Sequence, residues 1–178
     1  MSSASSRTLT IEQALPLLEA TPPRLAVLTD GLAPAQLQTA PAPDEWSAND
    51  VLAHLRACAD MWGKYITAML AEDTPTLRAV NPRTWIEQTN YRELDFRPSL
   101  QAFATQRADL LAMLKPLPAE GWSRSAIVTG AGKPLTLTVL SYTQRLALHE
   151  RPHVKQIERL VTRDMGERQV GVDEKLEA

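Results

Sequence analysis

The stretch Val139-Leu-Ser-Tyr-Thr-Gln-Arg-Leu-Ala-Leu-His149-Glu-Arg-Pro-His153-Val-Lys-Gln-Ile157 decides the fold. Its apolar side chains and its two histidines recur at every third or fourth position, and this spacing is the period of an α-helix. The stretch therefore predicts one helix over about residues 138–162. His149 and His153 lie one turn apart on the apolar face of that helix, so we expect both imidazoles to point into the protein.

Three further segments carry the same helical spacing, and prolines separate them because proline disrupts the interior of a helix. They are residues 11–31, 47–74 and 99–115. Ser47 can cap the second of these helices, and Asp50, three residues later, can serve as the acid of a capping box. In the first segment, Thr21-Pro22-Pro23 is compatible with one continuous helix or with a new helix start.

The connections between these helices differ in length. Residues 73–98 form a long connection, and such connections in small domains are usually functional segments or packed crossovers. Residues 125–138 place β-forming residues on both sides of a glycine-rich turn, which favours a short hairpin before the last helix. Together these features predict an all-α fold, a four-helix bundle that forms a single domain over residues 1–163. Residues 164–178 are charged and aperiodic, and we expect a loose tail there.

The composition excludes several classes of protein. With 178 residues, of which 44% are hydrophobic, the chain can bury a full core as one globular domain. The net charge of -2 gives no electrostatic basis for binding nucleic acid. No run approaches the roughly 18 consecutive apolar residues that a membrane span needs. The single cysteine, Cys58, and the lack of a basic and apolar leader in residues 1–10 predict a cytoplasmic protein.

The third histidine, His54, also lies on an apolar helical stripe, together with Val51, Cys58, Met61 and Tyr65. All three histidines of the chain are therefore expected to be buried. A buried imidazole without a partner costs about 1–3 kcal/mol, and one metal ion bound by all three would remove that cost. Separate hydrogen bonds to backbone or hydroxyl groups would do the same, and the spacing alone does not choose between these interpretations.

A site of three imidazoles suits zinc, nickel, iron or copper. It leaves a coordination position for water or substrate, and an ion with such a position lowers the pKa of a bound water or thiol. Cys58, one turn after His54, is a candidate for a fourth, thiolate ligand. The alternative is a buried cysteine that only packs.

The segment from His149 to His153 also matches the H-E-x-x-H pattern of zinc metalloproteases. In that interpretation Glu150 would be the general base of peptide hydrolysis. The third ligand would then have to come from the tail, where Glu167 and Glu174 are the candidates.

The direction of Glu150 on the helix distinguishes the protease interpretation from a site completed by His54. If His54 completes the site, Glu150 is turned by about 100° from His149 around the helix axis and faces solvent or a neighbouring helix. Pro152 lies inside the same predicted helix. It either kinks the helix and re-aims His153, or it is accommodated at the surface.

Two stretches together resemble the DinB/YfiT-like superfamily of metalloenzymes. They are Glu-Trp-Ser-Ala-Asn-Asp-Val-Leu-Ala-His54 and the H-x-x-x-H-x-x-Q-I pattern that begins at His149, and the similarity covers about residues 10–162. The resemblance implies a bundle in up-down-down-up order, with the long crossover between its second and third helices. It also implies a homodimer and a divalent metal held by His54, His149 and His153.

Three functions are compatible with this resemblance, and all of them use the metal. In the first, a divalent ion (zinc or nickel before iron or manganese) activates a low-molecular-weight thiol for S-transfer to an electrophilic small molecule. In the second, the protein is a metal-dependent hydrolase that uses metal-bound hydroxide. In the third, the ion only stabilises a non-catalytic, metal-binding stress protein.

The first two functions need charged groups near the ion. Cations would bind the acidic groups of a thiol, and the candidates on the two histidine-bearing helices are Arg56, Lys64, Arg145 and Arg151. A hydrolase would use a carboxylate, and the candidates are Asp50, Asp60 and Glu150. Asp50 could orient His54 through its second ring nitrogen or could only cap the helix. The sequence assigns no catalytic residue beyond the metal ligands.

Overall fold

Four long helices form the body of the protein. The computed structural model describes the backbone of residues 8–176 and the side chains of residues 8–162. Within these residues the helices, in chain order, are α1 (Ile11–Leu28), α2 (Pro34–Gln38), α3 (Ala48–Ala71), α4 (Pro82–Trp85), α5 (Phe96–Leu114), α6 (Ala119–Ser123) and α7 (Val139–Leu176). Both α1 and α3 pack against α5 and α7. The predicted four-helix bundle is confirmed, with α1, α3, α5 and α7 as its long members.

The apolar faces of these four helices meet in one core. Its largest fully buried side chains include Leu18 and Leu25 from α1, Leu55 from α3, Phe103 from α5 and Tyr142 from α7. Burying a side chain of this size contributes roughly 1.5–3 kcal/mol. The core therefore fixes the position of α3 relative to α7, and these two helices carry the three histidines.

Local sequence sets the helix ends. The Ser47 hydroxyl accepts a hydrogen bond from the backbone N–H of Asp50 at 3.1 Å, and the Asp50 carboxylate accepts one from the N–H of Ser47 at 3.0 Å. The capping box at the start of α3 is thus confirmed. Helix α1 runs without a break through Pro22 and Pro23. The helix ends at Leu28, and the chain turns at Gly31, whose φ of +69° favours glycine.

A small sheet lies beside the bundle. Its strands are β1 (Thr76–Arg78), β2 (Ser125–Thr129) and β3 (Leu135–Thr138). Strands β2 and β3 pair antiparallel, with Ser125 opposite Thr138, which confirms the predicted hairpin. Strand β1 comes from the long crossover and pairs in parallel with β2, and the sequence did not predict it.

The crossover between α3 and α5 is packed onto the bundle. It contains β1, α4 and two 3-10 turns, at Ile86–Gln88 and Tyr91–Glu93. The hydroxyl of Tyr91 donates a hydrogen bond to the carboxylate of Asp60 on α3. The side-chain amide of Asn49 donates to the carbonyl oxygens of Arg92 and Leu94, at 3.0 and 3.1 Å. Of the two expectations for this connection, a packed crossover is confirmed.

The backbone of α7 is helical as far as Leu176, well beyond the end near residue 162 that the periodicity predicted. The expected loose tail falls on residues 164–178, whose side chains lie outside the described ones, so the tail and the domain limit at residue 163 stay predictions. Pro152 is exposed within the continuous helix, which accommodates it at the surface. Within the described residues, no helix combines the length and the apolar character needed to cross a membrane.

Candidate metal centre

Three imidazoles from two helices meet at one point. His54 comes from α3, and His149 and His153 come from successive turns of α7. Their ring centroids are 4.7 to 5.0 Å apart, and one nitrogen of each ring lies within 4.8 Å of a nitrogen of each other ring. The structure thus brings together all three histidines that the sequence singled out.

The spacing of these nitrogens suits a single metal ion. Two nitrogens bound to one zinc ion at about 2.0–2.1 Å lie about 3.4 Å apart in a tetrahedral site. The Nε2 atoms of His54 and His149 are 3.1 Å apart. Because imidazole nitrogen is a preferred ligand of zinc, nickel and iron, the residues present fit a divalent ion.

Neighbouring groups orient two of the rings. The Nδ1–H of His153 donates a hydrogen bond to the side-chain oxygen of Gln156 at 3.0 Å, which leaves Nε2 of His153 with a free lone pair. Trp46 packs beside His54 and His153, with ring centroids 5.1 and 6.5 Å away. These contacts hold the imidazoles in place before any ion binds.

His149 is directed to the site by its surroundings. Its Nδ1 is buried and has no hydrogen-bond partner among the described residues, whereas its Nε2 faces His54. The ring of Trp62 meets it edge-on at a centroid distance of 5.0 Å. Nε2 is therefore the nitrogen of this ring that lies where the three imidazoles converge.

The imidazoles are neutral near pH 7. Burial first, and then the charges of His153, Arg83 and Arg92, lower the pKa of His54 to about 4. Burial, helped by the other two histidines and by Arg145, lowers the pKa of His149 to about 3. Burial also lowers the pKa of His153. Neutral imidazole is the form that binds metals, so an ion has few protons to displace here.

Cys58 lies beside the three histidines and close to two of them. Its Sγ is 3.6 Å from Nε2 of His54 and 3.9 Å from Nε2 of His149. A thiolate at about 2.3 Å and an imidazole at about 2.0–2.1 Å from one tetrahedral zinc ion lie about 3.6 Å apart, so these distances do not exclude a fourth ligand. Burial, with a contribution from Glu150, raises the pKa of the thiol to about 12. A thiol with such a pKa is protonated near pH 7, so we expect Cys58 to pack and not to bind the ion, and this stays a prediction.

Glu150 points away from the imidazoles. Arg107 of α5 binds its carboxylate with two guanidinium nitrogens, one of them at 3.2 Å, and both side chains are only 2% exposed. Burial raises the pKa of Glu150, and the charge of Arg107 opposes that effect. A general-base role for Glu150, as in H-E-x-x-H proteases, is therefore wrong. Glu167 and Glu174 lie outside the described side chains.

A pocket of about 1000 Å³ opens onto the three histidines. Its wall comes from the segment before α3, from the crossover and from α7. Trp46, Asn81 and Gln156 line it. The charged residues of the wall are Asp44, Glu45, Arg83, Glu87, Arg92 and Arg159. A small molecule in this pocket would lie next to the imidazoles.

The carboxylates that the sequence placed near the site have other roles. Asp50 caps α3 and pairs with Arg92 at 3.4 Å, so it does not orient His54. Asp60 accepts hydrogen bonds from Tyr91 and Gln106. Helix periodicity identifies the inward face of α3. It does not reveal which polar side chains of α3 form hydrogen bonds or ion pairs with a distant segment.

Three of the four predicted cations lie against aromatic rings. Arg56 lies 3.9 Å from the centroid of the Tyr91 ring, Lys64 lies 5.7 Å from that of Trp85, and Arg145 lies 5.8 Å from that of Trp62. Neither these three residues nor the exposed Arg151 are among the described residues that line the pocket. The arginines that do line it include Arg83 and Arg92, from an irregular segment with no period to indicate their direction.

A four-helix bundle with three converging histidines defines a class of helical proteins able to hold a divalent ion. The sequence profile of the DinB superfamily matches residues 17–157. The chain therefore belongs to the DinB superfamily, as the resemblance indicated. Comparison with curated protein sequences gives no significant match.

The fold is shared with solved structures, among them two from Bacillus subtilis. One is YfiT from Bacillus subtilis, described as a probable metal-dependent hydrolase with an unusual four-helix bundle topology. It is 21% identical, with a TM-score of 0.74 over 92% of this chain and 94% of that one. The other is a DinB-like protein, YjoA, also from Bacillus subtilis. It is 18% identical, with a TM-score of 0.60 over 86% of this chain and 92% of that one.

Proposed function

We propose that the protein is a divalent-metal-dependent hydrolase of a small molecule, with His54, His149 and His153 as the metal ligands. The observation that carries this proposal is the convergence of three neutral imidazoles on the wall of a pocket large enough for a small molecule. The description of YfiT as a probable metal-dependent hydrolase supports the same class. We expect zinc or nickel, since both favour imidazole ligands.

Different residues of the chain have different roles at such a site. The three histidines bind the ion through neutral nitrogens, and Gln156 fixes the ring of His153 by accepting its Nδ1–H. Trp46 covers one side of His54. A divalent ion, when bound, supplies Lewis acidity, which lowers the pKa of water toward about 7 and polarises a carbonyl group.

A hydrolase also needs a group that takes up the proton of the attacking water. The carboxylates of the pocket wall are the candidates for this role, and they are Asp44, Glu45 and Glu87. All three are exposed residues, so they can exchange protons with bulk water.

The arginines of the pocket wall would also suit the acidic groups of a low-molecular-weight thiol. Thiol S-transfer to an electrophile is therefore the second candidate. The two functions differ in their nucleophile, which is water in the first and a thiol in the second.

The test measures the metal content of the protein and then its turnover. Protein purified without chelators is analysed for bound metal, beside His54→Ala, His149→Ala and the exposed control Lys155→Ala. We expect one equivalent of a divalent ion in the wild type and the control, and little in the two histidine variants. The metal-loaded protein is then assayed on a panel of esters and amides, and on electrophiles, with and without added thiols.

Each outcome has a distinct meaning. Hydrolysis without thiol, abolished by a chelator and by His54→Ala, supports the hydrolase. Turnover only with both a thiol and an electrophile supports the transferase and contradicts the hydrolase. A wild-type protein that takes up no divalent ion contradicts both functions.

A further inference from the structure

Two arginines of the crossover lie on the wall of the histidine pocket. Arg83 comes from α4, and Arg92 comes from the second 3-10 turn. Both are exposed, and both act electrostatically on His54, which lies on the same wall. The long crossover thus brings two guanidinium groups to the place where a substrate would enter.

The backbone that carries these arginines is held firmly. Asn81 begins α4, where its side-chain oxygen accepts a hydrogen bond from the N–H of Arg83 at 3.0 Å. The carbonyl of Arg92 accepts one from Asn49 of α3, and the neighbouring Tyr91 binds Asp60. Because these three hydrogen bonds fix the segment, the two guanidinium groups extend from a pre-formed surface, which lowers the entropic cost of binding a ligand.

The two arginines differ in how their charge is engaged. Arg92 pairs with Asp50 at 3.4 Å and lies 5.6 Å from the centroid of the Trp46 ring, so its guanidinium is oriented along the wall. Arg83 is in none of the ion pairs between described side chains, although Glu87 lies one helical turn away. Its charge is therefore available to a ligand.

We propose that Arg83, assisted by Arg92, binds an anionic group of the substrate, a carboxylate or a phosphate, beside the three histidines. A guanidinium matches the two oxygens of either group. The carboxylates of Asp44, Glu45 and Glu87 share the wall, so the subsite is a local one and the pocket as a whole is not cationic. The inference deepens the proposed hydrolase function by naming a class of substrate.

The test measures binding on the full chain in its metal-free form, so that no anion can bind to an ion. The probes are phenylacetate, phenyl phosphate and the neutral phenylacetamide, titrated by calorimetry at low and at high salt. We expect at least one of the anions to bind more tightly than the amide, and to bind less tightly at high salt. Replacing Arg83 by alanine should weaken that binding about tenfold, and Arg83→Lys should restore part of it.

Arg78→Ala is the matched control, since Arg78 is an exposed residue of the same crossover and is not among the described residues that line the pocket. We expect it to bind the anions as the wild type does. The relative affinities for phenylacetate and phenyl phosphate distinguish a carboxylate subsite from a phosphate subsite. Equal binding of the amide, no binding of either anion, or no effect of Arg83→Ala would each overturn the proposal. Because no turnover is measured, a failure of the hydrolase proposal would leave this result intact.

Discussion

Replacing Glu150 by glutamine should destabilise the protein strongly, although Glu150 lies in a segment that resembles a protease motif. Its carboxylate and the guanidinium of Arg107 form an ion pair between α7 and α5, and each side chain is 2% exposed. The amide of glutamine keeps the shape and removes the charge. Arg107 would then be a buried cation without a counter-charge.

The expected magnitude follows from the burial of the pair. Removing one partner of a buried ion pair costs about 3–5 kcal/mol. Unfolding entropy is about 2.1 cal/mol/K per residue, so this chain of 178 residues loses about 1 °C of Tm for each 0.4 kcal/mol. Glu150→Gln should therefore lower Tm by roughly 8–13 °C.

The assay is thermal unfolding of the metal-free protein followed by circular dichroism. The control is Arg24→Ala, which removes an ion pair with Glu158 whose side chains are 55% and 43% exposed. An exposed pair contributes at most about 1 kcal/mol, so this variant should lose no more than about 3 °C. Replacing both partners, as Arg107→Met with Glu150→Leu, should recover much of the loss.

If Glu150→Gln loses no more Tm than the Arg24→Ala control, the reasoning from burial is refuted. A second result would refute the placement of Glu150 away from the reacting groups. That result is a variant with unchanged Tm whose turnover per folded molecule has been lost.

Three further predictions concern the histidine site. Removing the bound metal with a chelator should lower Tm, and His54→Ala should abolish the difference between loaded and stripped protein, which differential scanning calorimetry can measure. The free energy of unfolding of the metal-free protein should be constant between about pH 7 and pH 8. It should fall as the pH drops from about 6.5 toward 4, because burial lowers the pKa of His54 and of His149 and the unfolded chain therefore binds more protons. Denaturant titrations of the wild type and of His149→Ala at several pH values check this sign. The free energy of unfolding of the variant should fall less steeply as the pH drops. Cys58→Ser should keep the full metal content, and the cobalt form of the wild type should lack a sulfur-to-metal charge-transfer band, because burial raises the pKa of the thiol to about 12 and keeps it protonated.

Periodicity was sufficient to predict the parts of the structure that depend on local pattern. The four long helices, the cap at Ser47 and the hairpin of residues 125–138 all follow from spacing, proline positions and turn residues. Periodicity also placed the three histidines on inward faces, because a residue on an apolar face must point into a bundle. Their convergence on one site was implied by the resemblance to the DinB superfamily and not by spacing.

Features that join distant segments were not predictable in this way. The partner of Glu150 is Arg107 on another helix, and no local rule pairs the two. Strand β1 forms only because β2 lies beside it. Arg83 and Arg92 belong to a segment without a repeating pattern, so the sequence offered Arg56 and Lys64 instead, whose charges are held against aromatic rings. The homodimer and the cytoplasmic location stay predictions.

The proposed metal ligands lie far apart along the chain, and this separation determines when an ion could bind. His54 and His149 are 95 residues apart. A growing chain therefore exposes one ligand long before the other two are synthesised, and a single imidazole binds metals weakly. An ion that joins the two helices closes this long loop and acts as a late cross-link of the finished fold. The protein is expected to take up its metal only after α7 has docked, so that metal loading reports completed folding.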